Sequence, residues 1–320
     1  MARGRIRIGT RGSRLALWQA ERTRHVLAAY DSDVEIEIVT IQSHGDQQQH
    51  QSVADLGTIG IFTREIERAL LDRRVDLAVH SLKDLPTEPP SGLTLAALLP
   101  RDDPRDVLIA GTLEGFEEGE SRLALSALPR AARIGTSSLR RRAEMLRARP
   151  DLHVVELRGN VPTRLRKVEH GELDGILLSS AGLDRLGLRP PGCVKLDPEI
   201  MLPAPAQGTI ALQVRTDDEP TQTLVSRVDD RETRLTTTVE RVLLHELHGG
   251  CRVPLGALAK LELETLTLTA RLLSADGRTV LETKESGPSS EGKQLATRAA
   301  EELRSRGADR ILAELRPFPG

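Results

Sequence analysis

The chain has 320 residues, enough for two or three compact domains that each bury a core, and its 38% hydrophobic and 29% charged residues are ordinary for a soluble protein. A formal net charge of −2 gives no global field for a polyanion, so any anion site must be a local cluster of arginines; with only 2% aromatics to stack bases, nucleic-acid binding is not expected. No apolar run approaches the length of about eighteen residues that a membrane span requires. The opening Met1-Ala2-Arg3-Gly4-Arg5 passes into a strand without an apolar signal region, and Cys193 and Cys251 make no disulfide framework. The expected location is the cytoplasm, with no membrane partner.

Residues 5–9 read as a strand, 13–30 as an amphipathic helix, and 34–41 as a strand alternating Val, Ile and Glu. Residues 42–60 are Gln-rich and without period at their start, and predict a mobile loop. A helix follows over 62–73, a short strand over 76–80 and a Pro-rich turn over 85–90. The charged stretch 99–106 reads as a linker. A second series then predicts strands at 133–135, 153–157 and 175–179, with helices at 137–149 and 162–170. Strands alternating with helices imply parallel sheets covered by helices.

The two series share an echo. Arg7-Ile8-Gly9-Thr10-Arg11-Gly12-Ser13 and Arg133-Ile134-Gly135-Thr136-Ser137-Ser138 each read as strand, Gly-Thr turn and Ser-capped helix. Two such halves suggest two similar lobes, each aiming a helix N-terminus at an anion; the bland alternative is coincidence of a common turn. From about residue 230 the pattern changes to a long helix over 232–247, strands at 255–263, 265–273 and 279–285, and helices from 292 onward. That order suits a small α+β domain.

Arginines gather where strands end and helices begin in the second series: Arg140, Arg141, Arg158, Arg164 and Arg185. Residues just past strand C-termini line the ligand crevice of such sheets, and guanidinium forks suit carboxylates. Taken singly, each Arg reads equally as a solvated helix face. His80-Ser81-Leu82-Lys83-Asp84-Leu85-Pro86 places a base beside an acid after a strand, where Lys83 can hold an anion and Asp84 can exchange protons or face a cation; a surface Lys–Asp pair would look the same. Cys251 lies in Gly249-Gly250-Cys251-Arg252-Val253-Pro254, an open turn whose Arg252 favours thiolate; the alternative is a packing cysteine. His245 and His248 are near it, but too few ligands gather for a metal, and none is expected.

Together, Thr10–Ala16, His80–Pro86, Gly135–Arg141, Leu157-Arg158-Gly159-Asn160-Val161 and Gly249–Pro254 resemble, in order and across essentially the whole chain, the hydroxymethylbilane synthase (porphobilinogen deaminase) family. The resemblance implies an α/β fold: two periplasmic-binding-protein-like lobes around a cleft, 1–102 with 203–226 and 103–202, plus a C-terminal α+β domain, 227–320. It implies a transferase of porphyrin, heme and tetrapyrrole biosynthesis, acting as a monomer. Dipyrromethane is held by a thioether at Cys251, and four porphobilinogen molecules are condensed onto it with loss of ammonia before hydrolysis frees the product. Asp84 is implied as the catalytic residue. Cys251, Lys83, Asp84, Ser138, Arg140 and Arg141 are implied for the cofactor, and Arg11, Ser13, Gln19, Arg158, Arg164 and Arg185 for the substrate.

The chain departs from that pattern in three places. Ile59 stands where a lysine is usual, Ala206 replaces the first glycine of a Gly-Gln-Gly run, and Gln213 replaces a glutamate. A non-catalytic carboxylate-binding protein of the same architecture, or a family member that has lost turnover, are the competing readings.

Overall fold

A computed structural model of the chain describes residues 5–41, 63–248 and 253–315. The expectations for loop 42–60, for Ile59 and for Cys251 with its flanking glycines lie outside these residues. In chain order the elements begin with β1 (Ile6–Thr10), α1 (Arg14–Tyr30), β2 (Ile36–Thr40), α2 (Arg64–Leu71), β3 (Leu77–Ser81) and β4 (Leu93–Leu98). Next come β5 (Asp106–Ile109), α3 (Ser121–Ala127), β6 (Arg133–Gly135), α4 (Leu139–Ala148), β7 (His153–Val155), α5 (Val161–Glu169), β8 (Gly175–Ser179), α6 (Ser180–Arg185) and β9 (Cys193–Lys195). The chain returns through β10 (Ile210–Arg215), α7 (Glu219–Ser226) and α8 (Arg231–Glu246). It finishes with β11 (Leu255–Glu262), β12 (Thr265–Leu273), β13 (Val280–Pro288), α9 (Gly292–Ser305) and α10 (Ala308–Glu314).

Two units result: Met1–Asp102 with Gly208–Arg234, and Asp103–Gln207 with Leu235–Gly320. The first holds a five-stranded sheet in the order β2-β1-β3-β10-β4. Strands β2, β1 and β3 are parallel, and β10 runs antiparallel to both its neighbours. The second holds β7-β6-β8-β5-β9, again three parallel strands followed by an antiparallel one, β5, paired on both sides. The echo in the sequence is therefore an echo of topology. Gly9 and Gly135 occupy the same place on the interior strands β1 and β6, and a Cβ there would approach Val75 to 2.9 Å and Leu173 to 2.7 Å. Both helices that follow are capped as expected, Ser13 Oγ accepting from Ala16 N at 3.3 Å and Ser138 Oγ from Arg141 N at 3.4 Å. The second starts later than the sequence suggests, because Ser138 makes the cap and Ser137 donates instead to the Leu157 carbonyl.

Each five-stranded sheet is covered on both faces. In the first unit Leu77 and Val79 pack with Ala20 and Leu27 of α1, while Ala78 packs with Ile66, Ala69 and Leu70 of α2. Alternate residues of β3 thus face different helices. The three-stranded antiparallel sheet β11-β12-β13 packs on α8 and α9 through Leu243, Leu268, Leu295 and Leu303, the α+β arrangement expected. No helix among the described residues is long and apolar enough to cross a membrane.

Candidate active site

In the first unit the parallel strands β1 and β3 end at one edge of the sheet. Arg11 follows β1, and a short 3-10 turn, Leu82–Asp84, follows β3. Leu82 and Leu85 are buried on either side of that turn, and Leu82 N donates to Thr209 O at 3.0 Å, so the polar residues between them face outward. A pocket opens there, lined by Arg11, Ser13, Gln19, His80, Ser81 and Asp84 among others. Asp84 is exposed; Lys83, half-buried, is not among the lining residues. Gln19 is buried and donates to Ser81 Oγ at 2.9 Å, tying α1 to the end of β3. Four residues implied by the sequence therefore meet in one concavity: Arg11, Ser13, Gln19 and Asp84.

Behind the pocket Gln213 of β10 lies between His80, 3.1 Å away, and Glu67 of α2, at 3.2 Å. Burial pushes the His80 imidazole down to about 4, and the same cause pushes the Glu67 carboxyl up.

The second unit arranges its cations around one carboxylate that sequence reasoning missed. Asp106, fully buried, accepts from Arg140 Nη1 at 2.6 Å and from Arg141 Nε at 2.9 Å. Gln207 Nε2 adds a third donor at 3.0 Å. Burial would raise the Asp106 carboxyl, but the two guanidinium groups outweigh it and hold the group well below the usual carboxylate range. Arg140 and Arg141 also donate to the carbonyls of Leu202 and Leu177, at 2.8 and 3.0 Å. Asp106 ends the charged run read as a linker, and opens a strand, β5, that the sequence did not suggest. The available signal was its position directly before the apolar run Val107-Leu108-Ile109, where a carboxylate must be buried and so must be paired.

The other arginines divide. Arg164 Nε donates to Gly159 O at 2.7 Å, and burial together with the neighbouring Arg141 charge lowers its guanidinium to about 10. Arg140 Nε is buried and makes no hydrogen bond among the described residues. Arg158, expected to face a ligand, pairs with Glu156 at 2.6 Å. Arg185 is buried at the end of α6. Cys193 opens β9 half-buried, and burial pushes its thiol up, which makes it a poor nucleophile. Among the described residues no group of three His, Cys, Asp or Glu is placed to hold a metal.

Ala206 adopts a left-handed backbone, φ 62°, and its N–H donates to Glu240 Oε2 at 2.6 Å. The other Glu240 oxygen accepts from Ala259 N at 2.8 Å, so one buried α8 carboxylate holds both segments. Gly208, at φ 95°, admits no side chain: a Cβ would lie 2.4 Å from the Asp102 carbonyl.

Comparison with known proteins identifies the family. Residues 6–223 match the family model described as "Porphobilinogen deaminase, dipyromethane cofactor binding domain", and residues 234–305 the one described as "Porphobilinogen deaminase, C-terminal domain". The porphobilinogen deaminase of Syntrophotalea carbinolica is 42% identical over 98% of this chain and 97% of its own. That of Syntrophomonas wolfei subsp. wolfei is 42% identical over 97% and 99%, and that of Paracoccus denitrificans 43% over 94% of each. Among solved structures, the BenM effector binding domain with benzoate matches 71% of this chain and 92% of its own at TM-score 0.42 and 17% identity. The chain belongs to the porphobilinogen deaminase family.

Proposed function

We propose that the protein is a hydroxymethylbilane synthase, a transferase that condenses porphobilinogen stepwise, with loss of ammonia, and releases the linear tetrapyrrole by hydrolysis. The observation that carries this reading is the exposed Asp84 carboxylate sharing one pocket with Arg11, Ser13 and Gln19. Porphobilinogen brings an aminomethyl group and two carboxylates. When its C–N bond breaks and ammonia leaves, the remaining pyrrole is cationic, and Asp84 stabilises that charge. Asp84 then takes the proton released when the new C–C bond forms. Arg11 holds a carboxylate, and Ser13 and Gln19 orient the ring.

Dipyrromethane supplies an acceptor pyrrole that stays attached through every cycle. The residues of the second unit fit such a group: Ser138 at the helix N-terminus, Arg140 with a buried Nε left to donate, and Arg164, a half-buried cation close to Arg141 that suits a carboxylate. Lys83 joins them in this assignment, Cys251 carries the thioether, and Arg158, Arg164 and Arg185 take substrate or product carboxylates. Arg158 must leave Glu156 to do so. The domain division proposed is two lobes, 1–102 with 203–226 and 103–202, and a third domain, 227–320. The active form is taken as a monomer in the cytoplasm, without nucleic-acid or membrane partners, from the sequence.

The test is intact-protein mass spectrometry of the purified chain and of Cys251→Ser. Added mass of one dipyrromethane in the parent, absent from the variant, is expected, together with porphobilinogen consumption by the parent only. A parent that consumes no porphobilinogen would return the protein to a carboxylate-binding or inactive role.

A further inference from the structure

His80, Gln213 and Glu67 form a buried polar chain that the reaction proposed above does not use. His80 and Ala78 alternate to the α2 side of β3, and Gln213 and Arg215 do the same on the adjacent β10. Glu67 comes down from α2, where Thr63 also donates to its second oxygen at 3.5 Å. All three side chains are 5% exposed or less, yet His80 forms part of the wall of the pocket that holds Arg11 and Asp84.

The polarity of this chain follows from its acid end. Glu67 Oε1 accepts from Gln213 Nε2 at 3.2 Å, and an ionised Glu67 can only accept, which turns the amide NH2 toward it. Its carbonyl oxygen then faces His80, and His80 Nε2 must carry the hydrogen. The surroundings favour a neutral ring. Besides the amide, α2 presents apolar Ile66, Ala69 and Leu70 on this face. Among the described residues, the charged groups named here are committed or at the mouth. Arg64, at the start of α2, acts on Glu67; Arg215 on β10 donates to Leu70 O, Val75 O, Asp76 and Asp218; Arg11 and Asp84 line the opening. On the opposite face α1 reaches this end of β3 through the Gln19–Ser81 hydrogen bond.

We propose that Gln213 is a positioning residue that transmits the fixed polarity of Glu67 to His80, keeping the imidazole neutral and Nε2-protonated at the pocket wall. The consequence is electrostatic. An imidazolium in the same pocket would pair with Asp84 and repel both the ammonium of the incoming substrate and the cation left after ammonia departs. A neutral ring leaves Asp84 to the substrate. Glutamate at position 213 would face His80 with a second carboxylate and charge it. This role rests on the porphobilinogen reading; the tautomer does not.

Ring 15N NMR of histidine-labelled full-length protein, with His80→Gln to identify the resonance, reads the claim without turnover. The parent is expected to show an Nε2–H neutral ring that does not titrate between about pH 5.5 and 8. Glu67→Gln frees the amide to invert and should give a mixture of tautomers. Gln213→Glu should raise the His80 midpoint by at least about one pH unit. Its KM for porphobilinogen should rise several-fold below that midpoint, with a smaller change in kcat. A parent His80 that is imidazolium near neutral pH, or a Gln213→Glu protein with unchanged ring shifts and an unchanged pH profile of KM, overturns the proposal. Should Gln213→Glu fail to fold, the parent and Glu67→Gln decide the matter. Failure of the parent to consume porphobilinogen sinks the functional reading alone, since the ring nitrogens still report the tautomer.

Discussion

The pocket of the first unit and the arginine cluster of the second treat charge in opposite ways. At the pocket Asp84 stands on a turn pinned by buried leucines, exposed and facing Arg11 and Ser13. In the second unit Asp106 is fully buried, with two guanidinium groups and a carboxamide closed around it. An exposed carboxylate costs the fold little and remains available for chemistry. A buried one is sustained only by partners, and those partners are in turn held in place. Arg140 and Arg141 are therefore structural and functional at once: much of each fork is spent on Asp106 and backbone carbonyls, and what remains is aimed by that commitment.

Breaking the buried cluster should produce the largest effect. Asp106→Ala leaves two buried cations without their anion and should cost about 3–5 kcal/mol in denaturant unfolding. A loss under about 1 kcal/mol would mean that the cluster is not the closed network described. The pocket should behave in reverse. Asp84→Asn should leave unfolding within about 0.5 kcal/mol of the parent, as exposed sites do. Porphobilinogen consumption should nevertheless fall at least about 100-fold, the scale of a lost acid–base group.

Acid separates the two regions further. The unfolded chain protonates His80 near its ordinary 6.5, whereas the folded chain holds it neutral down to about 4. The His80 contribution to stability should thus be constant above pH 6.5 and slope downward between there and about 4, by up to about 3 kcal/mol. His80→Gln should remove that slope in urea midpoints measured across this range. The Asp106 contribution, with its carboxyl held low, is present above the ordinary carboxylate pKa of 3.8 and is lost only below that. The smallest effect concerns Ala206, whose left-handed backbone a glycine adopts without strain. Ala206→Gly should stabilise by about 0.5–1 kcal/mol, partly offset by the lost methyl, and a thermal melt that moves down instead would place the strain elsewhere.

What could be read in advance followed local pattern. The Gly-Thr turns and capping serines marked the paired lobes, because a cap is a contact between near neighbours. The strands β11, β12 and β13 showed themselves by alternation or apolar runs between turns. Strand β10 did not: Ile210–Arg215 is buried on both faces, Gln213 and Arg215 included, so its polar residues broke the pattern that identifies a strand. Asp106 was hidden for a related reason. Its partners lie 34 and 35 residues away, and nothing in a charged run distinguishes the residue that turns inward. The place of Arg158 after a strand suggests a ligand-facing side chain, but Glu156, two residues before it, is an equally local partner and takes it.

The most direct measurement is the intact mass of Asp84→Asn before and after addition of porphobilinogen. The account predicts one dipyrromethane of added mass at the start and almost no pyrrole increments afterwards, whereas the parent gains them. Increments in the variant at the parent's rate and number would contradict it, because the carboxylate at the end of β3 would then have no part in joining the rings.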